Sequence, residues 1–193
     1  RYNLSGAVNN WEALTSPTVG SGTYYRRNIV SDRSRYIYCI TNHVTGVVAN
    51  SFLRYDTTTS GWATMNNGYA LAESTYDFGV SCSLAYDNDN GRKYVYALVS
   101  NNGGNLYIQR YHVDANSWNP TYLSLTAIVG AITGYAFMPM TYYDGNIWFA
   151  VSNYANKIYR YNIDTATVYT YINAPFSFWS ATGNIGDGQY SSH

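Results

Sequence analysis

Arg110-Tyr111-His112-Val113-Asp114-Ala115-Asn116-Ser117-Trp118 is the stretch whose reading decides the fold, because three other stretches repeat its order of residues. Arg54-Tyr55-Asp56 runs through Thr57, Thr58, Thr59, Ser60 and Gly61 to Trp62. Arg160-Tyr161-Asn162-Ile163-Asp164 runs to Tyr169, and Arg1-Tyr2-Asn3-Leu4 runs to Trp11. The period is about fifty residues, too long for arrays of helical hairpins. The chain therefore reads as copies of a single unit.

Working outward from each Arg-Tyr, an alternating aromatic and aliphatic run lies upstream. Tyr36-Ile37-Tyr38-Cys39-Ile40, Tyr94-Val95-Tyr96-Ala97-Leu98 and Ile147-Trp148-Phe149-Ala150-Val151 line up without gaps, rich in the β-branched and aromatic residues that strands favour. In front of each run sits a turn: Ser31-Asp32-Arg33-Ser34, Asp87-Asn88-Asp89-Asn90-Gly91, and Asp144-Gly145. The last two carry the Gly-containing pairs that accept positive φ in a tight hairpin. A further strand precedes each turn, over Tyr25 to Val30, Val80 to Tyr86 and Phe137 to Tyr143. With the Arg-Tyr strand and one begun by Trp or Tyr, each unit has four antiparallel strands.

Four strands at this period predict an all-β fold, a β-propeller of four-stranded antiparallel blades. The chain reads as one domain over 1–193, with a half blade at 1–16, blades at 24–66, 79–124 and 136–172, and a further blade started by 173–193. About four blades are visible, so the expectation is a portion of a larger ring. The order of features resembles the kelch repeat: an apolar second strand, a loop, a strand ending in Tyr-Asp, then a Trp opening the fourth strand. Residues 54–62 and 94–118 carry this resemblance best. The double glycine that kelch repeats place after the second strand is replaced here by Ile40-Thr41, Val99-Ser100 and Val151-Ser152, while Gly103-Gly104 falls a few residues late.

Composition narrows the function. Charged residues are 11% of the chain and balance to a net charge of zero, so the basic footprint of a nucleic-acid binder is missing. No apolar run is long enough to cross a membrane, and no membrane insertion is expected. The chain carries 23 Tyr and 5 Trp on a background of Asn, Ser, Thr and Gly, a balance common in secreted or virion-surface β proteins. Cys39 reads as a small buried residue in the place of Ala97 and Ala150, and Cys82 lies in the first strand of the next unit. A disulfide between them needs a distance that sequence does not supply. His43, His112 and His193 have no ligand-like spacing, and neither metal nor cofactor is expected.

In a repeat protein, residues found in every unit are architectural and residues that break the pattern carry function. By that filter the recurring Arg-Tyr pairs are guanidinium groups packed between blades over aromatic faces. Asp56 and Asp114 are turn formers, and Trp62 and Trp118 pack blade to blade. The variable residues fall in the second-to-third strand loops and the between-blade loops, which a propeller places on one rim. The candidate ligand-binding residues there are Asn42, His43, Tyr69, Glu73, Tyr76, Asp77, Asn101, Asn102, Tyr122, Asn153, Tyr154 and Lys157. Tyr beside Asn suits stacking on a sugar face while the amide reads hydroxyls, and equally suits a protein surface. Residues 122–135, with Leu123, Leu125, Ala127, Ile128, Val129, Ala131 and Ile132, are too apolar for a solvated loop and are expected to pack on a neighbour.

No nucleophile elbow, phosphate loop or paired His-Glu metal motif is present. Nothing aligns with the His and Tyr copper ligands of radical oxidases built on kelch-like propellers, and there is no Asp-box of the sialidase kind. Glu73 and Asp77 are spaced four apart, a weak basis for acid-base chemistry. The expectation is a non-catalytic recognition module that binds a glycan or protein through its loop rim, extracellularly or on a virion surface. The alternative is an assembly component of a filament, appendage or virus particle, joined to other copies or to the rest of a longer chain. A glycan-acting enzyme is a distant third.

Overall fold

The protein is seen in a computed structural model that describes residues 24–43, 51–66, 83–100, 105–130, 139–151 and 157–173. The first sheet comprises β1 (Tyr24–Ser31), β2 (Tyr36–His43), β3 (Ser51–Asp56) and β4 (Gly61–Thr64). The second comprises β5 (Ser83–Asp87), β6 (Tyr94–Ser100), β7 (Leu106–His112) and β8 (Ser117–Ser124). The third comprises β9 (Met140–Tyr143), β10 (Asn146–Ala150), β11 (Lys157–Asn162) and β12 (Thr167–Asn173). Each of the three four-stranded sheets is an antiparallel meander in chain order. The expected all-β fold of four-stranded antiparallel units is therefore present. Residues 1–16 and 173–193, expected to begin and end in further units, lie outside the described residues except for Asn173.

The period-2 alternation of side chains explains how the sheets stack. In β6 every residue from Val95 to Val99 is buried, because the second sheet is covered on both faces. Val95, Ala97, Val99, Leu84 and Tyr111 turn one way and form a core with Tyr38, Ile40 and Phe52 of the first sheet. Tyr96, Leu98, Leu106 and Ile108 turn the other way onto Ile147, Phe149, Tyr159 and Tyr161 of the third. β5 lies beside both β1 and β9, so the sheets stack like pages held at a spine formed by their first strands. Residue identity decides the inter-sheet geometry. Phe52 meets the Tyr111 ring edge-on at 4.7 Å and Trp118 at 5.0 Å, while Tyr38 stacks on Tyr86 at 6.0 Å, arrangements that the ring quadrupoles favour. Trp118 also donates its indole N–H to the Asn66 carbonyl at 2.9 Å, so the expected role of this Trp between units is met.

The hairpin after each Arg-Tyr follows a single plan. Asp56 pairs with Gly61, His112 with Ser117 and Asn162 with Thr167, and each loop holds a residue at positive φ just before the closing pair: Ser60, Asn116 and Ala166. The residue after Tyr accepts a loop N–H in every copy. Asp56 Oδ1 accepts from Thr58 at 2.9 Å, His112 Nδ1 from Ala115 at 3.0 Å, and Asn162 Oδ1 from Thr165 at 2.8 Å. That shared task explains why Asp, His and Asn interchange here, since each offers a short acceptor that caps a turn.

Two sequence alignments are corrected by the registers. Tyr36 faces Asp56 and Tyr94 faces His112, but the matching partner of Asn162 is Asn146 and not Ile147. Ile147 thus matches Ile37 and Val95, and Cys39 matches Ala97 and Phe149. The cause is turn length. Asp144 and Gly145 both have positive φ and close a two-residue hairpin between Tyr143 and Asn146, whereas the equivalent turns in the other sheets are longer. Likewise Val168, not Tyr169, faces Tyr161 in the place held by Trp62 and Trp118. Cys39 is buried in β2; Cys82 lies outside the described residues.

The apolar segment expected to pack on a neighbour instead closes the protein's own core as far as it is described. Tyr122 to Ser124 complete β8, and a single helical turn, α1 (Thr126–Val129), follows. Leu125 and Val129 are buried between the second and third sheets, leaving Ile128 exposed. Residues 131–135 lie outside the described residues.

Truncating Phe52 to Ala removes the ring on which the first two sheets meet, and should cost about 3–5 kcal/mol in a urea titration. Burial also governs the tyrosines. It pushes Tyr86 and Tyr111 up to about 12 from 10.0 and raises Tyr38, Tyr96 and Tyr161 further. A raised phenol stabilises the fold below the unfolded value of 10.0 and stops doing so as pH passes its folded value. Tyrosinate absorbance should therefore lag between pH 10.0 and about 12 and then rise together with loss of the β circular-dichroism signal. All phenols ionising near 10.0 with the fold intact would contradict this packing.

Candidate functional site

The recurring arginines among the described residues are held by aromatic faces of their own sheets, which corrects the expectation that aromatic faces from adjacent units clasp them. Arg54 lies 4.3 Å from the Tyr36 ring, and Arg110 lies 4.6 Å from Tyr94 and 4.2 Å from Tyr122. Arg160 lies 4.4 Å from Tyr169 and 5.8 Å from Trp148. In each case the aromatic sits on a strand flanking the arginine's own, so these groups belong to the architecture.

Charge at the turn rim follows a second recurring plan, and its third copy departs from it. In the first sheet Arg35, just before β2, makes a two-pronged pair with Asp56 at 2.9 and 2.6 Å, which holds that carboxyl well below its usual range. In the second, Lys93 takes the same place and pairs with Asp114 at 3.1 Å. The backbone contact beneath is the same in all copies: Thr57 N–H to Arg35 O, Val113 N–H to Lys93 O and Ile163 N–H to Gly145 O. In the third sheet the cation's place is taken by Gly145, part of the two-residue turn, so Asp164 has no in-sheet partner of that kind. It reaches Arg92 of the second sheet instead, at 2.7 Å.

Around that crossing lies an open pocket of about 410 Å³ lined by Asp89, Asn90, Arg92, Asp144, Gly145, Asn162 and Asp164. Arg92 is its organiser. Nε lies 2.9 Å from Asp87 Oδ2, and Nη2 reaches the Tyr142 hydroxyl at 3.4 Å. Asp87 is fully buried and also accepts from the Asp89 N–H at 2.9 Å and, at 3.5 Å, from the Tyr96 hydroxyl. Burial works against the charge on Arg92, but Asp164, Tyr142 and Asp87 outweigh it, and its pKa is raised above the ordinary arginine value. Tyr142 donates to Asp89 Oδ2 and accepts from the Gly145 N–H at 3.1 Å. Burial first, and then the hydrogen bond to Asp89, raise its phenol pKa.

The inner groups and the open ones are thus separate. Arg92 is held by Asp87, Asp164 and Tyr142, and Tyr142 is held by Asp89 and the Gly145 N–H. The carboxylate of Asp144 and the side chain of Asn90 are exposed at the mouth, and Tyr143, next to Asp144, is the most exposed large aromatic among the described residues, at 71%. Such a mouth offers acceptors and an amide.

Of the residues singled out from sequence, the four that are described lie away from the pocket. Asn42 and His43 end β2, with His43 opposite Tyr24, instead of standing in a loop. Lys157 opens β11 opposite Asn173. Tyr122 is half-buried in β8, its ring on Arg110 and edge-on to Tyr161, whose hydroxyl donates to it at 3.2 Å. Tyr69, Glu73, Tyr76, Asp77, Asn101, Asn102, Asn153 and Tyr154 lie outside the described residues. The pocket residues sit on the opposite rim, formed by the first-to-second and third-to-fourth strand turns. The signal for them was in the sequence: Gly145 stands where Arg35 and Lys93 stand, a break in the repeat.

No protein-family model matches the chain, and no curated protein matches it either. Among the described residues no three His, Cys, Asp or Glu side chains come together to hold a metal ion, and no helix is long and apolar enough to cross a membrane.

Replacing Arg92 by Met strands the buried Asp87 carboxylate, while replacing Asp164 by Asn removes a partner that is 64% exposed. R92M should cost about 3 kcal/mol and D164N under about 1 kcal/mol by chemical denaturation. Equal effects would show that the pair with Asp87 does not organise the site.

Proposed function

We propose that the chain is part of a kelch-like β-propeller, its three sheets being consecutive blades, and that it serves as a non-catalytic recognition module for a hydroxyl-rich glycan at an extracellular or virion surface. The observation that carries the reading is the pocket at the one described junction where the repeat's charge plan breaks. Its interior is locked by Arg92 and its mouth is left with acceptors. Sugar hydroxyls are donors in need of fixed acceptors, which Asp144, Asp164 and Asn90 provide. The rigid strands β9 and β10 and their two-residue turn hold Asp144 in place, the pre-organisation that a small recognition site requires. Leu125 and Val129, part of the apolar segment on which the assembly alternative rests, are buried in the protein's own core. Protein ligands use the same Tyr and Asn chemistry, and the experiment separates them.

The test is a glycan array probed with the wild-type chain and with D144A and D164A. Binding to one or more glycans is expected, and each substitution should weaken it about tenfold or more, the worth of a hydrogen bond to a charged group. An array that stays blank, or binding that ignores both substitutions, overturns the reading.

A further inference from the structure

Outer sheet edges give a second inference, independent of the pocket. A strand at the rim of a sheet exposes a row of unpaired N–H and C=O groups, and proteins blunt such edges with short strands, charges or proline. The inner edges here need no such device, because β1, β5 and β9 lie beside one another. The outer edges are β4, β8 and β12. β4 is only four residues long. β8 carries Pro120, which has no N–H to donate, and its pairing with β7 shifts register between Ile108 and Arg110. β12 has neither the shortness nor a proline, and its ladder with β11 stays in register from Thr167 to Tyr171, shifting only at the far end between Lys157 and Ile158. It is seven residues long, Thr167-Val168-Tyr169-Thr170-Tyr171-Ile172-Asn173, with no charge, no Pro and no Gly. Among the described residues no strand pairs with its outer side.

We propose that β12 pairs antiparallel with β12 of a second copy of this chain, joining two four-stranded sheets into one. The occupant follows from the strand's make-up. A two-fold axis at Thr170 sets the strand opposite itself in reverse, so Thr170 faces Thr170 and Tyr169 pairs with position 171, and the irregularity beside Tyr171 leaves the strand's far end outside that pairing. No like charges meet, and Thr and aromatic cross-strand pairs are those that antiparallel ladders favour. Thr167 and Thr170 are exposed, so nothing on those side chains has to be uncovered first.

Sedimentation of the wild-type chain across a concentration series should show a monomer–dimer equilibrium. Thr170→Lys and Thr170→Glu each place like charges face to face and should weaken self-association about fivefold or more, whereas an equimolar mixture of the two should restore it. Thr167→Lys, outside the regular pairing around Thr170, should leave the dimer largely intact. Circular dichroism confirms that each variant is folded, as exposed positions allow. A wild-type chain that stays monomeric, a dimer indifferent to both Thr170 changes, or one that Thr167→Lys disrupts equally overturns the proposal.

Discussion

Burial of both faces of the second sheet is the constraint on which the rest depends. β6 is apolar from Val95 to Val99 without a polar interruption, so that sheet is unstable in water unless something covers it on each side. The first and third sheets do so with aromatic residues, and the edge-on and stacked contacts of Phe52, Tyr111, Trp118, Tyr38 and Tyr86 set their approach. Two of the phenols between sheets turn their hydroxyls to polar neighbours. Tyr111 does this with Asn116 at 2.7 Å, and Tyr161 with Tyr122 at 3.2 Å.

Much of this was legible in the residues. The repetition of Arg-Tyr, followed by a short acceptor and a hairpin, located the third strand of every sheet, and the alternating runs located the second. What the residues did not disclose was register in the third unit. Aromatic content made Ile147 look like Tyr36 and Tyr94, and Tyr169 like Trp62 and Trp118, but hydrogen-bond pairing is set by turn length. The two-residue Asp144-Gly145 turn moves the match by one residue and exchanges the two faces. A pattern of hydrophobicity alone is blind to such a slip where both faces of the strand are apolar.

The site was less legible for a different reason. Recurring residues are architectural, and the conspicuous variable ones are the aromatic and amide residues of the second-to-third strand and between-unit segments. The departure that matters is the loss of a cation, Gly145 standing where Arg35 and Lys93 stand, and its effect is felt in another sheet. Asp164, deprived of an in-sheet cation, draws Arg92 across the junction, and that crossing encloses the pocket. Sequence shows a missing charge; only the stacking of the second sheet on the third shows who replaces it.

The meander order has a consequence for how the chain reaches this state. Every ladder in the three sheets joins strands adjacent in sequence, so each sheet closes through short hairpin loops whose entropic cost is small. Each sheet is then a local event, and assembly resembles docking preformed leaves more than threading distant segments together. The rate should be governed by how quickly adjacent leaves find each other's aromatic faces, with the middle leaf serving as the template on which its neighbours condense.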